Sequence, residues 1–311
     1  MPFEHVLLLL KGYLGDAVML TPLLKGLVET GAAVEAYTDP GVIALLEYSF
    51  PGVTFHRSRN IRNPFELLKE RSDIRSQHYD AAIVVNRSFR SALLASLAGV
   101  PVRVGHDTDR RAFLLTHSVP YYLDRSESDS CMDLAEAVGL HLPHSHPSLS
   151  VPAELAAELR PCLEGAEIGI QPGARHAFKQ LPIAVMAEVC EGLHHDGRKL
   201  VLLGGDDERA AGKELESSLS FKPLNLIGDL SLKESMAAAS LLSLVVGGDT
   251  GFMHIAAAVG APTVAAFGET SAAKWGHHYA PHKVLVSPTK NIRDFAAGEI
   301  LDAARAALSA T

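Results

Sequence analysis

A chain of 311 residues, 47% hydrophobic and 21% charged, has the length and balance of a globular protein with room for two α/β domains. Its formal net charge of −8 excludes a general nucleic-acid binder, because a phosphate backbone would be repelled by most of the surface. Cys131, Cys162 and Cys190 are widely spaced, with no C-x-x-C pair, and read as reduced thiols of a cytoplasmic protein; the 15 histidines form no H-E-x-x-H or mixed Cys/His pattern, so no metal is expected.

Val6 to Leu10 is a compact apolar run that predicts a buried parallel strand, too short for a signal-peptide core or a membrane span. Lys11 to Asp16 form a glycine-containing turn, and Ala17 to Leu27 continue as helix. The turn lacks G-x-G-x-x-G, which speaks against a dinucleotide-binding dehydrogenase. Further strands are predicted at 34–37, 53–55, 81–85 and 99–105, with helices at 40–50, 88–97 and 126–138. From Arg57 to Arg75 basic residues, among them Arg59 and Arg62, outnumber acidic ones. That stretch reads either as a solvated helix face or as a shore for an anionic acceptor. Arg110 and Arg111 stand together in the polar loop after 105. Gly139 to Pro152, with three prolines and three histidines, reads as a connector, which puts the boundary between domains 1–151 and 152–311 near Val151.

The second half repeats the rhythm, with strands at 167–170, 199–203 and 224–227 and helices at 182–194, 206–219 and 231–240. Two parallel sheets covered by helices follow, and ligands of such sheets bind beyond the carboxyl ends of the strands. The most informative stretch is Val245 to His254. Gly247 and Gly248 permit a tight turn, Asp249 or Thr250 can cap the next helix, and Thr250 and His254 share one of its faces. A helix start of this kind suits a phosphate or diphosphate, although an ordinary capped βα turn has the same spacing. Gly260 to Gly268 form a loop and a buried strand, and Lys274-Trp275-Gly276 follow. Ile292 to Ala310 reads as an amphipathic helix that could return to brace the first domain.

The order D-T-G-x-x-H, G-x-P-T-V-x-x-F-G and W-G resembles the donor-binding half of glycosyltransferase family 9, the ADP-heptose:lipopolysaccharide heptosyltransferases. Lys11, Leu14, Gly15, Asp16 and Pro22 match that family's N-terminal signature. The resemblance implies a GT-B fold, with an N-terminal acceptor-binding domain and a C-terminal donor-binding domain facing a cleft. It also implies an inverting transfer of a sugar, heptose first among candidates, from an ADP-sugar to a lipopolysaccharide core or related glycan or glycolipid. No cofactor is implied. The work would be done in the cytoplasm, where peripheral association with the inner membrane face is compatible with the chain.

By the same resemblance, Asp16 is the base that takes the proton of the acceptor hydroxyl. Lys179, Asp249, Thr250, Gly251 and His254 are implied at the donor diphosphate. Lys179 matches the family's K-x-W-P loop, in which Leu181 here replaces Trp; a surface lysine ahead of a helix-starting proline has the same appearance. Glu208, in the G-G-x-x-E turn, and Leu230 are implied at the nucleoside, where an acid at a helix start and a core leucine are the plain readings. Lys11, Arg57, Arg59, Arg62, Arg110 and Arg111 are the candidates for an anionic acceptor. A sugar-nucleotide 2-epimerase of the same fold and a noncatalytic nucleotide-sugar binder are the competing functions.

Overall fold

The computed structural model describes residues 3–10, 12–58 and 63–309. The chain divides into two compact units, Met1–Pro147 and Ser148–Thr311, a few residues ahead of the boundary expected near Val151. In the first unit the strands are β1 (His5–Leu9), β2 (Ala33–Thr38), β3 (Val53–Arg57), β4 (Ala81–Val84), β5 (Val102–His106) and β6 (His117–Val119). They form one parallel sheet in the order β3-β2-β1-β4-β5-β6. The second unit carries β7 (Ile168–Gln171), β8 (Leu200–Leu202), β9 (Leu224–Asn225), β10 (Leu244–Gly248), β11 (Thr263–Phe267) and β12 (Lys283–Val286). These are also parallel, ordered β12-β11-β10-β7-β8-β9.

Both sheets are doubly wound, and in each the strand order reverses at one place. In the first sheet this switch lies between β1 and β4, and in the second between β7 and β10, where Val246 pairs with Ile170 and Gly247 with Gln171. The crevice beyond the carboxyl ends of the two switch strands is where such sheets take ligands. The central strands β1, β4, β7 and β10 are apolar on both faces, as expected of strands covered by helices on each side.

The helix expected over Ala17 to Leu27 is two helices, Leu14–Met19 and Thr21–Glu29. Pro22 has no N–H to give the carbonyl four residues back, and the Thr21 hydroxyl bonds that Val18 carbonyl instead at 2.8 Å. The segment after residue 139 lacks regular structure, and its histidines are exposed, but Leu140 and Leu142 are buried. Gly26 makes room for Leu142, whose side chain would meet an added Cβ at 2.8 Å.

The terminal helix, Ala297–Ser309, packs on the second unit. Its buried residues Ile300, Ala304 and Ala307 join the second unit's own core, with Ile168, Ile170, Val246 and Val264. Its apolar stripe covers one face of that unit's sheet. β6, β12 and the helix Ala153–Leu159 were not expected. They are short, lie at sheet edges or on the surface, and show too few turns of any apolar period to stand out.

Candidate active site

The second unit gathers its polar groups at the β7/β10 switch. β10 ends at Gly248, and Thr250 caps the helix Gly251–Ala258, its hydroxyl accepting from the Met253 amide at 3.4 Å. Asp249, the other candidate cap, is buried instead. Gly248 is required by a close approach: a Cβ there would lie 2.2 Å from the Lys179 carbonyl oxygen, so only glycine lets the loop after β7 cross the end of β10.

That crossing brings Lys179 and Asp249 together across 70 residues of sequence. Lys179 Nζ donates to Asp249 Oδ2 at 2.8 Å; the lysine side chain is 25% exposed and the carboxylate 1%. His254 Nε2 stands 3.4 Å from Asp249 Oδ1, and His254 Nδ1 is 2.9 Å from His277 Nε2. Burial opposes ionisation of Asp249, but the hydrogen bonds and charges of His254 and Lys179 outweigh it and hold the carboxyl well below its usual range. Asp249 and His254 therefore lie behind the lysine. Both were expected to touch the diphosphate. The Asp249 carboxylate faces Lys179, and the His254 imidazole has both nitrogens turned to protein groups. Lys179, Thr250 and Gly251 occupy the more open side.

Glu208 joins this cluster through a residue that sequence reasoning passed over. Gln171, buried at the end of β7, donates from its amide to Glu208 and to the Gly173 carbonyl and accepts from the Thr250 hydroxyl at 3.1 Å. The signal was a lone amide closing an otherwise apolar strand, Ile168-Gly169-Ile170. Glu208 also accepts from the Gly205 amide at 2.8 Å. Burial pushes its carboxyl above the ordinary range, which leaves it a weaker acid than a surface glutamate. Gly173 and Gly204 exist to fit it, since a Cβ at either would come within 2.8 Å and 2.2 Å of its side chain. Leu230 is half-buried and packed on the core formed with Val245 and Phe267.

In the first unit Asp16 lies in the first turn of Leu14–Met19, directly after β1 and so at the edge of that sheet's switch point. Arg111 corrects another expectation. It is completely buried, donating from Nε to the His106 carbonyl at 2.8 Å and from Nη1 to the carbonyls of Ser88, at 3.2 Å, and Asn86. Burial lowers its pKa to about 10. It ties the ends of β4 and β5 together and has no surface from which to meet an acceptor. Its sequence neighbour Arg110 is exposed, in a left-handed conformation at φ 54°, and Arg57 is exposed beside the helix Pro64–Ser76. Lys11, Arg59 and Arg62 lie outside the described residues.

Comparison with known proteins then decides the family. The model of glycosyltransferase family 9 (heptosyltransferase) matches residues 67–304, well over half of the chain. The chain belongs to glycosyltransferase family 9. Among curated relatives, lipopolysaccharide heptosyltransferase 2 of Escherichia coli (strain K12) is 29% identical over 218 residues. That match covers 64% of this chain and 62% of the relative, so the chain spans less than two thirds of its length. A family 9 glycosyltransferase from Veillonella parvula DSM 2008 superposes with a TM-score of 0.88 at 18% identity, covering 99% of this chain and 98% of that one. E. coli heptosyltransferase WaaC with ADP gives a TM-score of 0.78 at 16% identity, over 97% and 99% of the two chains. These likenesses show the fold, two parallel-sheet α/β units of the GT-B type.

For this family 9 chain the β7/β10 cluster has a definite chemical capacity. A lysine on a buried carboxylate, beside a capped helix start, offers a fixed positive charge and oriented N–H dipoles to an anion at the open edge. The Gln171 side chain joins Thr250 to Glu208 in one hydrogen-bond network. Among the described residues no group of three or more His, Cys, Asp or Glu is placed to hold a metal ion. None of their helices is long and apolar enough to cross a membrane.

Proposed function

We propose that the protein is an inverting glycosyltransferase that moves heptose from ADP-heptose to a lipopolysaccharide-core acceptor. The observation that carries this reading is the Lys179–Asp249 pair beside the Thr250-capped helix at the switch point of the second sheet. Membership of family 9 supports the sugar-transfer reading, and the ADP named with WaaC supports the adenine nucleotide. In this reading Lys179, Thr250 and the amides around Gly251 hold the donor diphosphate, Glu208 accepts from the ribose and Leu230 packs on the base.

The acceptor hydroxyl attacks the anomeric carbon as the bond from that carbon to the diphosphate oxygen breaks. The hydroxyl proton passes to the Asp16 carboxylate, and ADP departs with the bonding electrons. Charge growing on the leaving diphosphate is met by the Lys179 ammonium and the helix start, the role a divalent cation plays elsewhere, so turnover is expected to proceed in excess chelator. Asp16 lies ahead of the matched residues 67–304, and its assignment rests on the resemblance of Lys11 to Pro22 to the family signature. Arg57 and Arg110 remain the described candidates for the acceptor's anionic groups, and the enzyme would meet a glycolipid by peripheral association with the inner membrane face.

The test is a thermal-shift screen of ADP-, UDP- and GDP-sugars, followed by product analysis with and without lipopolysaccharide core acceptor. A ligand at a hundred times its Kd stabilises the fold by about 2.7 kcal/mol. Stabilisation by the ADP-sugar and transfer only when acceptor is present are expected. A protein that no nucleotide sugar stabilises, or that converts the donor alone, would refute the reading.

A further inference from the structure

Glu208 and Leu230 stand on different turns, one after β8 and one after β9. β9 is two residues long, lies at the edge of its sheet and pairs with β8 at Leu224 and Asn225, so the chain leaving it needs further support to hold residue 230 in place. The helix Arg209–Ser217 supplies it. Arg209, Gly212 and Glu216, three and then four residues apart, share one face and meet that chain in reverse order. Glu216 accepts from Asn225 Nδ2 at 2.9 Å, and Gly212 admits Ile227 so closely that an added Cβ would lie 2.4 Å from its Cδ1. Arg209 meets the last two residues before Leu230. Its Nη2 donates to the Gly228 carbonyl at 2.7 Å and to Asp229 Oδ1 at 3.0 Å, while its Nε donates to Asp206 Oδ1 at 2.6 Å. One planar group therefore spans the turn that carries Glu208 and the turn that leads into Leu230. Gly228 is fitted to it twice over: its φ is 74°, and a Cβ there would lie 2.6 Å from the Arg209 Nε and push the guanidinium off the backbone. The Gly228 amide also donates to the Gly204 carbonyl at 3.0 Å, a second link between the same two turns.

We propose that Arg209 is a positioning residue for the nucleoside: its guanidinium sets the gap between Glu208 and Leu230, and with it the fit of ribose and base, without touching the ligand. The proposal rests on the reading of Glu208 and Leu230 as nucleoside contacts. Arg209, Asp206 and Asp229 are exposed, so these ion pairs add little to global stability and their effect is local. A lysine is no substitute, because an ammonium on a flexible stem lacks the planar fork that holds Asp206 on one side and the Gly228–Asp229 turn on the other.

Hydrogen exchange of the ligand-free full chain, paired with kinetics for the ADP-sugar, tests this. Arg209→Ala should speed exchange at residues 226–230 and leave the rest of the second unit as in wild type. It should raise KM for the ADP-sugar about fivefold, on the scale of one hydrogen bond, with kcat changed less than about twofold. Arg209→Lys should behave like Arg209→Ala in both readouts. A raised KM with unchanged exchange would make Arg209 a direct ligand contact and overturn the proposal. So would faster exchange with unchanged KM, a loss confined to kcat, exchange that rises across the whole unit, or a lysine that restores KM. A wild-type protein that binds no nucleotide sugar, while residues 226–230 still loosen in Arg209→Ala, would refute the functional reading and with it the nucleoside role, and would leave the clamp between the two turns in place.

Discussion

Lys179 and Asp16 divide the work of the proposed reaction, and single substitutions separate them. Lys179→Ala should weaken ADP binding measured by calorimetry. It should also lower Tm, because the buried carboxylate is left with His254 as its one remaining partner, at a cost of about 1–3 kcal/mol. Asp16→Ala should leave ADP binding within error while reducing turnover by about 10² to 10⁴, the usual worth of a general base. Equal loss of binding in both would contradict this division. Asp249 also gives a pH prediction. Its folded-state pKa lies below its unfolded value, so the stability it contributes is complete above about pH 4 and is lost as pH falls toward the lowered folded value. Denaturant titrations between pH 3 and 6 should show a shallower acid slope in Asp249→Asn than in wild type. Arg111→Ala should lower Tm without altering acceptor KM, since its guanidinium serves three carbonyls and no open surface.

Turns between strand and helix are where element-scale constraints concentrate. Gly248→Ala should displace the loop carrying Lys179, because the added methyl meets a backbone carbonyl that cannot rotate away. Gly204→Ala meets the flexible end of Glu208 instead and should be milder. Comparing the two by ADP affinity tests whether the crossing over β10 builds the site; equal effects would argue against it. The elements themselves were largely legible in the sequence, since buried parallel strands are unbroken apolar runs and their turns carry Gly, Pro or a capping hydroxyl. β6, β12 and Ala153–Leu159 were not, because three to seven residues at an edge or surface carry no clear period.

Across the whole molecule, two doubly wound sheets of like order arise from halves with no visible sequence repeat. Hydrogen exchange with and without ADP should show protection at residues 171–181 and 249–252 and none at β6, an edge strand of the other sheet; protection spread evenly over both units would count against a switch-point site. From its residue order alone the chain determined its alternation of strand and helix, its family resemblance and the two turns where chemistry gathers. Tertiary structure alone decided that Asp249 lies beneath Lys179, that Gln171 joins Glu208 to Thr250, that His254 is turned inward, and that Arg111 is buried while Arg110 is not. The physical reason is strand order. β10 lies beside β7 only because the chain crosses over the sheet, and local periodicity says which residues are apolar but not which strands become neighbours.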